Sequence, residues 1–196
     1  INGSNFIDGL NGLLLTYMTF IIFILFKLGL LNELFINYDF INYLIFFIII
    51  IILLNLCNYL MLGDAGAYSL SFFVGYLIIE CHMSNPNISP YFFITLLWYP
   101  CFENLFSIIR KFKTKLSPLI PDNNHLHQLI YIRFKKKIIK SQLIANNVTS
   151  LLISFVNFII ILISSMNPYS SVYQIKLIIF SIILYSLTFI IIKKKL

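Results

Sequence analysis

Apolar runs of membrane-crossing length alternate with short polar joints along this chain. Hydropathy predicts six spans, at about 12–31, 40–61, 65–82, 89–109, 146–165 and 172–192. Each approaches the roughly 20 residues a helix needs to cross hydrocarbon. One joint is long: residues 110–145, RKFKTKLSPLIPDNNHLHQLIYIRFKKKIIKSQLIA. The pattern predicts an all-α, polytopic membrane bundle forming one domain over 1–196, with 110–145 as a basic, histidine-bearing loop.

Composition removes the soluble alternative. Hydrophobic residues make up 60% of the chain, charged ones 11%, and the mean hydropathy is +0.92. A soluble domain carries about 25% charge. The cysteines Cys57, Cys81 and Cys101 are widely spaced and match no zinc or disulfide pattern, so they are expected to be small apolar core residues. The chain opens on Ile1 without a basic stretch ahead of an apolar core, so no signal peptide is read and the native N-terminus is expected to lie upstream.

Charge placement then orients the bundle. The net charge of +7 rests on 14 Lys and Arg, nine of them within 110–145 and three at 193–195. Lys27 and Lys176 lie near span ends, where they snorkel. Charge placed in this way speaks of topology and anionic lipid rather than nucleic acid. By the positive-inside rule, 110–145 and the C-terminus are cytoplasmic. Counting spans backwards puts 62–64 and 1–11 on the same side. Three polar stretches far apart in sequence, around Asp8, Asp64 and His125, are thus expected to share one membrane face.

Each stretch carries candidate chemistry. In LGDAGAY, Gly63 and Gly66 permit a sharp turn, and Asp64 either caps the next helix or stands as a Mg²⁺ ligand. In PDNNHLHQ, His125 and His127 converge on one ligand if extended and diverge if helical. They are candidate donors to phosphate or sugar, with Lys113, Lys115 and Arg133 adding positive charge. Glu103, inside the fourth span, needs a partner: Arg110 or a polar group on another helix. Asn55 either bonds across helices or reads a ligand.

Taken together, NFIDGLNGL, LGDAGAY, FENLFSIIRK and SPLIPDNNHLHQLI, in this order and at these intervals, resemble the polyprenyl-phosphate N-acetylhexosamine-1-phosphate transferases. The resemblance covers the whole chain. It implies transfer of an N-acetylhexosamine-1-phosphate, or a deoxy derivative, from a UDP-sugar to undecaprenyl or another polyprenyl phosphate, releasing UMP. Such a step opens cell-envelope polysaccharide synthesis at the cytoplasmic side of a bacterial inner membrane. Mg²⁺, or Mn²⁺ in its place, is the implied cofactor, with Asp64 and Asp8 as ligands and Asp64, Asp8, His125 and His127 as catalytic residues. Asn5, Asn55, Asn11, Lys115 and Arg133 are the implied substrate contacts.

Three departures qualify the likeness. Asn11 stands where many members have a second aspartate, and Gln128 replaces a further histidine, which favours the O-antigen and capsule branch. The family's paired-aspartate motif, which precedes the NxIDG stretch, has no counterpart here. The chain is therefore expected to correspond to the C-terminal three-fifths of such an enzyme and to be inactive alone. The competing readings are an enzyme like phospho-N-acetylmuramoyl-pentapeptide transferase, a transporter fragment, and a non-catalytic membrane subunit. A transporter places polar groups at mid-membrane along broken helices, whereas here they gather on one face.

Overall fold

A computed structural model describes residues 1–31, 38–113 and 124–194. Among the described residues the fold is all-α. In chain order the helices are α1 (Asn2–Ile7), α2 (Leu13–Lys27), α3 (Tyr38–Leu56), α4 (Gly63–Ser84), α5 (Pro90–Leu96), α6 (Trp98–Lys113), α7 (Leu126–Lys137), α8 (Gln142–Ser165) and α9 (Ser171–Lys194). Three of them, α3, α8 and α9, are long and apolar enough to cross a membrane. The bent pair α5–α6 makes a fourth if counted as one span.

The remaining expected spans take other forms. α4 matches 65–82 in position, but Asp64, Glu80, His82 and several small polar residues dilute its apolar character. α2 has 15 residues, about 22 Å at 1.5 Å per residue, short of the roughly 30 Å hydrocarbon core.

α2 is the centre of the bundle. Leu13, Leu14, Ile21, Ile22, Ile24 and Leu25 are fully buried, so almost every face of the helix meets protein. α8 lies along it with a stripe of small and polar side chains (Ala145, Thr149, Ser150, Ser154, Asn157, Ser164), which lets the two backbones come close. Among its described side chains α3 buries only Ile41, Ile48 and Asn55, one residue every seven, and leaves Phe40, Phe46, Phe47 and Leu53 exposed. Such one-sided burial suits a helix whose other face meets lipid.

Hydroxyls within the helices turn back on their own backbone. Thr19, Ser71, Thr95, Thr149 and Ser181 each donate to the carbonyl four residues earlier, at 2.5–2.8 Å. These five are thereby satisfied locally, whereas Ser150 and Ser154 of α8 have no such bond among the described residues. The cysteines divide. Cys81 is buried, with its thiol 3.7 Å from the Leu30 carbonyl oxygen, whereas Cys57 and Cys101 are exposed, so the core role expected of all three holds for one.

The break between α5 and α6 positions the rest. The two helices meet at 72°. Pro100 is the cause: it has no N–H to give the carbonyl of Leu96, four residues earlier, and its ring crowds that turn. The freed carbonyl is taken by Tyr17 of α2, whose hydroxyl donates to Leu96 O at 2.8 Å. α1 packs against α6 at the bend, where a Cβ on Gly3 would overlap the Pro100 carbonyl.

Tyr17→Phe removes the only proton offered in this contact and leaves a buried carbonyl unsatisfied. The expected cost is about 1–3 kcal/mol of stability, read as a lower melting temperature in detergent.

Candidate functional site

The ends of the bundle differ. At one, Ser89 of the α4–α5 joint bonds to Pro168 O (3.1 Å) and to the Ser171 hydroxyl (2.9 Å), closing the structure tightly. At the other lie the start of α2, the end of α3, the start of α4 and the N-terminal turns of α7 and α8. Arg110, at the end of α6, sits there over the rings of Phe106 and Phe189, 5.7 and 5.5 Å away. The basic residues Lys135 to Lys137 and Lys193 are carried on the neighbouring helix ends.

Here a cavity of about 500 Å³ opens. Asn5, Asp8, Asn11, Asn55, Asp64 and His125 all line it. These six come from four stretches spread over more than half the chain. The volume is that of a small-molecule site. His127, Lys115 and Arg133 are the other expected site residues. His127 lies behind the wall, Arg133 is further along α7 and does not line the cavity, and Lys115 is outside the described residues.

Amide clamps build the floor. Gly12 N–H donates to the Asn55 side-chain oxygen. The Asn55 amide nitrogen donates to Leu60 O at 2.7 Å. Asn55 therefore uses both ends of its carboxamide to tie the α2 entry to the α3–α4 turn, which makes the cross-helix alternative its observed role. From α8, Asn146 accepts from Asn11 N–H at 2.8 Å, and Asn147 donates to Leu56 O at 2.9 Å. Hydropathy and charge placement do not single out this pair. Its signal is the tandem Asn at the head of an otherwise apolar helix. Asn5 donates to the Tyr68 hydroxyl at 3.2 Å, a second contact that sequence does not show.

The carboxylates stand on separate elements. Asp8 follows α1, and Asp64 lies in the first turn of α4. Leu62 is the residue before that helix and no side chain caps it, so Asp64 is not spent on capping. Partial burial, reinforced by the Asp64 carboxylate, pushes Asp8 up to about 6. Two acidic groups that repel one another in a half-enclosed cavity suit a hard cation. Among the described residues no three His, Cys, Asp or Glu side chains converge on one point. A cation would rest on two carboxylates, with substrate oxygens completing its shell.

The histidines take distinct places. His125 is the N-cap of α7, in an extended conformation, and Gln128 reaches back to its backbone N–H at 3.4 Å. Its Nδ1 is 2.9 Å from Glu103 Oε1, and the same oxygen accepts from Leu126 N–H at 3.3 Å. Glu103 thus finds its partner on another element. With Nδ1–H donated to the carboxylate, Nε2 is left to the cavity. His127 is fully buried and stacks on His125, ring centroids 5.6 Å apart at 10°. Burial pushes it down to about 4, so it is neutral at physiological pH. The two rings lie nearly parallel: His125 lines the cavity and His127 stands behind it.

Gly9 makes that support possible. A Cβ there would stand 2.9 Å from His127 Nε2, against a ring enclosed on all sides. Gly9→Ala is expected to cost about 1–3 kcal/mol through overpacking, measured by thermal unfolding.

No family model, curated protein or solved structure matches the chain.

Proposed function

We propose that this chain forms the nucleotide-sugar site of a membrane transferase that moves N-acetylhexosamine-1-phosphate from a UDP-sugar to polyprenyl phosphate. The observation that carries the reading is the convergence of Asn5, Asp8, Asn55, Asp64 and His125 on one cavity. These are the positions that the sequence resemblance singles out. In the balanced step, an oxygen of the lipid phosphate bonds to the sugar-bearing phosphorus. The bond from that phosphorus to the bridging oxygen breaks, and UMP leaves with the oxygen. Phosphoryl transfer of this kind is mostly positioning and charge neutralisation.

The two carboxylates are the residues that fit Mg²⁺, since Mg²⁺ rests on one or two carboxylates plus substrate phosphates. Bound there, Mg²⁺ supplies neutralisation of the diphosphate charge. His125, held by Glu103, offers Nε2 to the diphosphate and, when protonated, a charged donor. Asn55 and Asn146 fix the loops that frame the nucleotide. In this reading the chain lies in a bacterial inner membrane with the cavity cytoplasmic. α2, α4 and the bent pair complete six crossings beside α3, α8 and α9.

Two measurements test it. Release of UMP by the full-length enzyme is assayed against a panel of UDP-N-acetylhexosamines with polyprenyl phosphate. No release with any member overturns the proposal.

The second measurement is pH dependence. Asp8 titrates near 6 and must be ionised to ligate. Mg²⁺ affinity is therefore expected to fall by about tenfold per pH unit below that value. The sign for the empty site is opposite. Asp8 is raised above its ordinary value, so without cation the fold loses stability as pH rises from about 4 to 6. Mg²⁺ titrations followed by thermal shift at pH 7.5 and 5.0 check both. Equal affinity at the two values removes Asp8 from the cation site.

A further inference from the structure

Away from the carboxylate site, a cavity of about 150 Å³ lies between the start of α6 and helices α7, α8 and α9. Ile130, Ile153 and Ile160 give it a largely apolar wall. The exposed side chains of Leu152, Val156 and Leu184 border it on α8 and α9, so it opens toward lipid.

Two polar groups on that wall lack a partner. Trp98 Nε1 and Asn157 Oδ1 make no hydrogen bond among the described residues, although Trp98 is only 6% exposed and Asn157 only 2%. Asn157 Nδ2 donates to Ile153 O at 2.9 Å, which marks its oxygen as the end left over. The hydroxyls of Tyr99 and Tyr185, which also line the cavity, lie beside the Glu103 carboxylate instead. One orphan is therefore a donor, the indole N–H, and the other an acceptor, a carboxamide oxygen. Buried polar groups are as a rule paired, because an unmet one is costly.

The pair selects its occupant. An ion has no counter-charge here, since no charged side chain is among the described residues that line the cavity. A buried water typically makes about three hydrogen bonds, and this wall offers it two. An alcohol is met in full. Its oxygen accepts from Trp98 Nε1–H, its proton goes to Asn157 Oδ1, and its third valence is carbon, which suits the apolar wall. A cavity of this volume holds a body about the size of benzene. A longer chain would run out between α8 and α9 into the bilayer.

We propose that this cavity binds a membrane-dissolved alcohol by its hydroxyl, between Trp98 and Asn157. The site stands independently of the transferase reading.

Trp98 is the single tryptophan of the chain, so tryptophan fluorescence reports on this cavity. The test titrates the full chain in detergent with tribromoethanol, an alcohol whose bromines quench indole on contact. Bromoform, which carries the bromines without the hydroxyl, is titrated alongside. Tribromoethanol is expected to quench saturably and to bind about tenfold more tightly than bromoform, as two added hydrogen bonds give. Asn157→Leu keeps the bulk, removes the acceptor and leaves the reporter in place. It is expected to weaken tribromoethanol about threefold or more and to leave bromoform unchanged, which also certifies that the cavity is folded. Val156→Phe, at the mouth, is expected to remove saturable quenching by both. Quenching by tribromoethanol that never saturates in the wild type overturns the site. Equal affinity for the two quenchers overturns the hydroxyl as the recognised group. Equal affinity of tribromoethanol for wild type and Asn157→Leu overturns the seat between the two side chains.

Discussion

Asp64→Asn is expected to abolish UMP release by the full-length enzyme while leaving membrane insertion and folding intact. The change keeps the size of the side chain and removes one of the two charges facing the cavity. A ligand contact to a metal that neutralises a diphosphate is worth several kcal/mol at the transition state. At about 1.4 kcal/mol per decade, that is a loss of about three powers of ten or more. The exposed first-turn position of Asp64 and the absence of any cap bond predict that stability barely moves. The variant also relieves the repulsion on Asp8, so the pH at which residual cation binding fails should drop. A rate within tenfold of wild type sinks the metal-site assignment.

The second large effect is expected at the His125–Glu103 pair. His125→Ala removes the ring that faces the cavity and should lower turnover by about 10²–10⁴, the range for a positioned proton-bearing side chain. Glu103→Gln separates orientation from mere presence. The amide oxygen still accepts from Nδ1–H, so the ring keeps its orientation while the carboxylate is lost. An intermediate loss in kcat with KM little changed is therefore expected. A purely architectural role for Glu103 would change the melting temperature and leave kcat alone.

Much of this arrangement is written in local sequence, and the parts that are not share a cause. α3, α8 and α9 are long apolar runs, and nothing in their surroundings overrides that signal. The gathering of Asp8, Asp64 and His125 at one end of the bundle is what a count of apolar runs and the placement of lysines leads one to expect, both long-range readings that need no side-chain detail. Apolar periodicity does not mark α1 and α7 as helices. They are short and polar, and they exist because each packs an edge onto a larger neighbour: α1 against the bend at Pro100, α7 against α8 and α9. The bend itself had a visible cause, a proline inside an apolar run, but Tyr17, which satisfies it, lies far away in sequence. Asn55 shows the same limit from the other side. Its type and position leave open a cross-helix bond or a ligand contact; the bonds to Gly12 N–H and Leu60 O are present, and Asn55 also lines the cavity. Whether a polar side chain serves a substrate or the chain depends on which loop tips arrive beside it, and that is decided by packing.

The shortness of α2 sets a depth. Its entry loop is pinned by Asn146, the fifth residue of α8, so the first turn of α8 rises about 6 Å above Asn11. That turn stands above Asn11, which lines the carboxylate cavity, so the cavity floor lies below the top of the bundle. For the proposed lipid substrate that depth would matter. Lifting a hydrocarbon tail out of its leaflet costs about 0.8 kcal/mol for every methylene that leaves. In the proposed reaction, a floor at headgroup level would let a lipid phosphate arrive by lateral diffusion, with its tail never leaving oil.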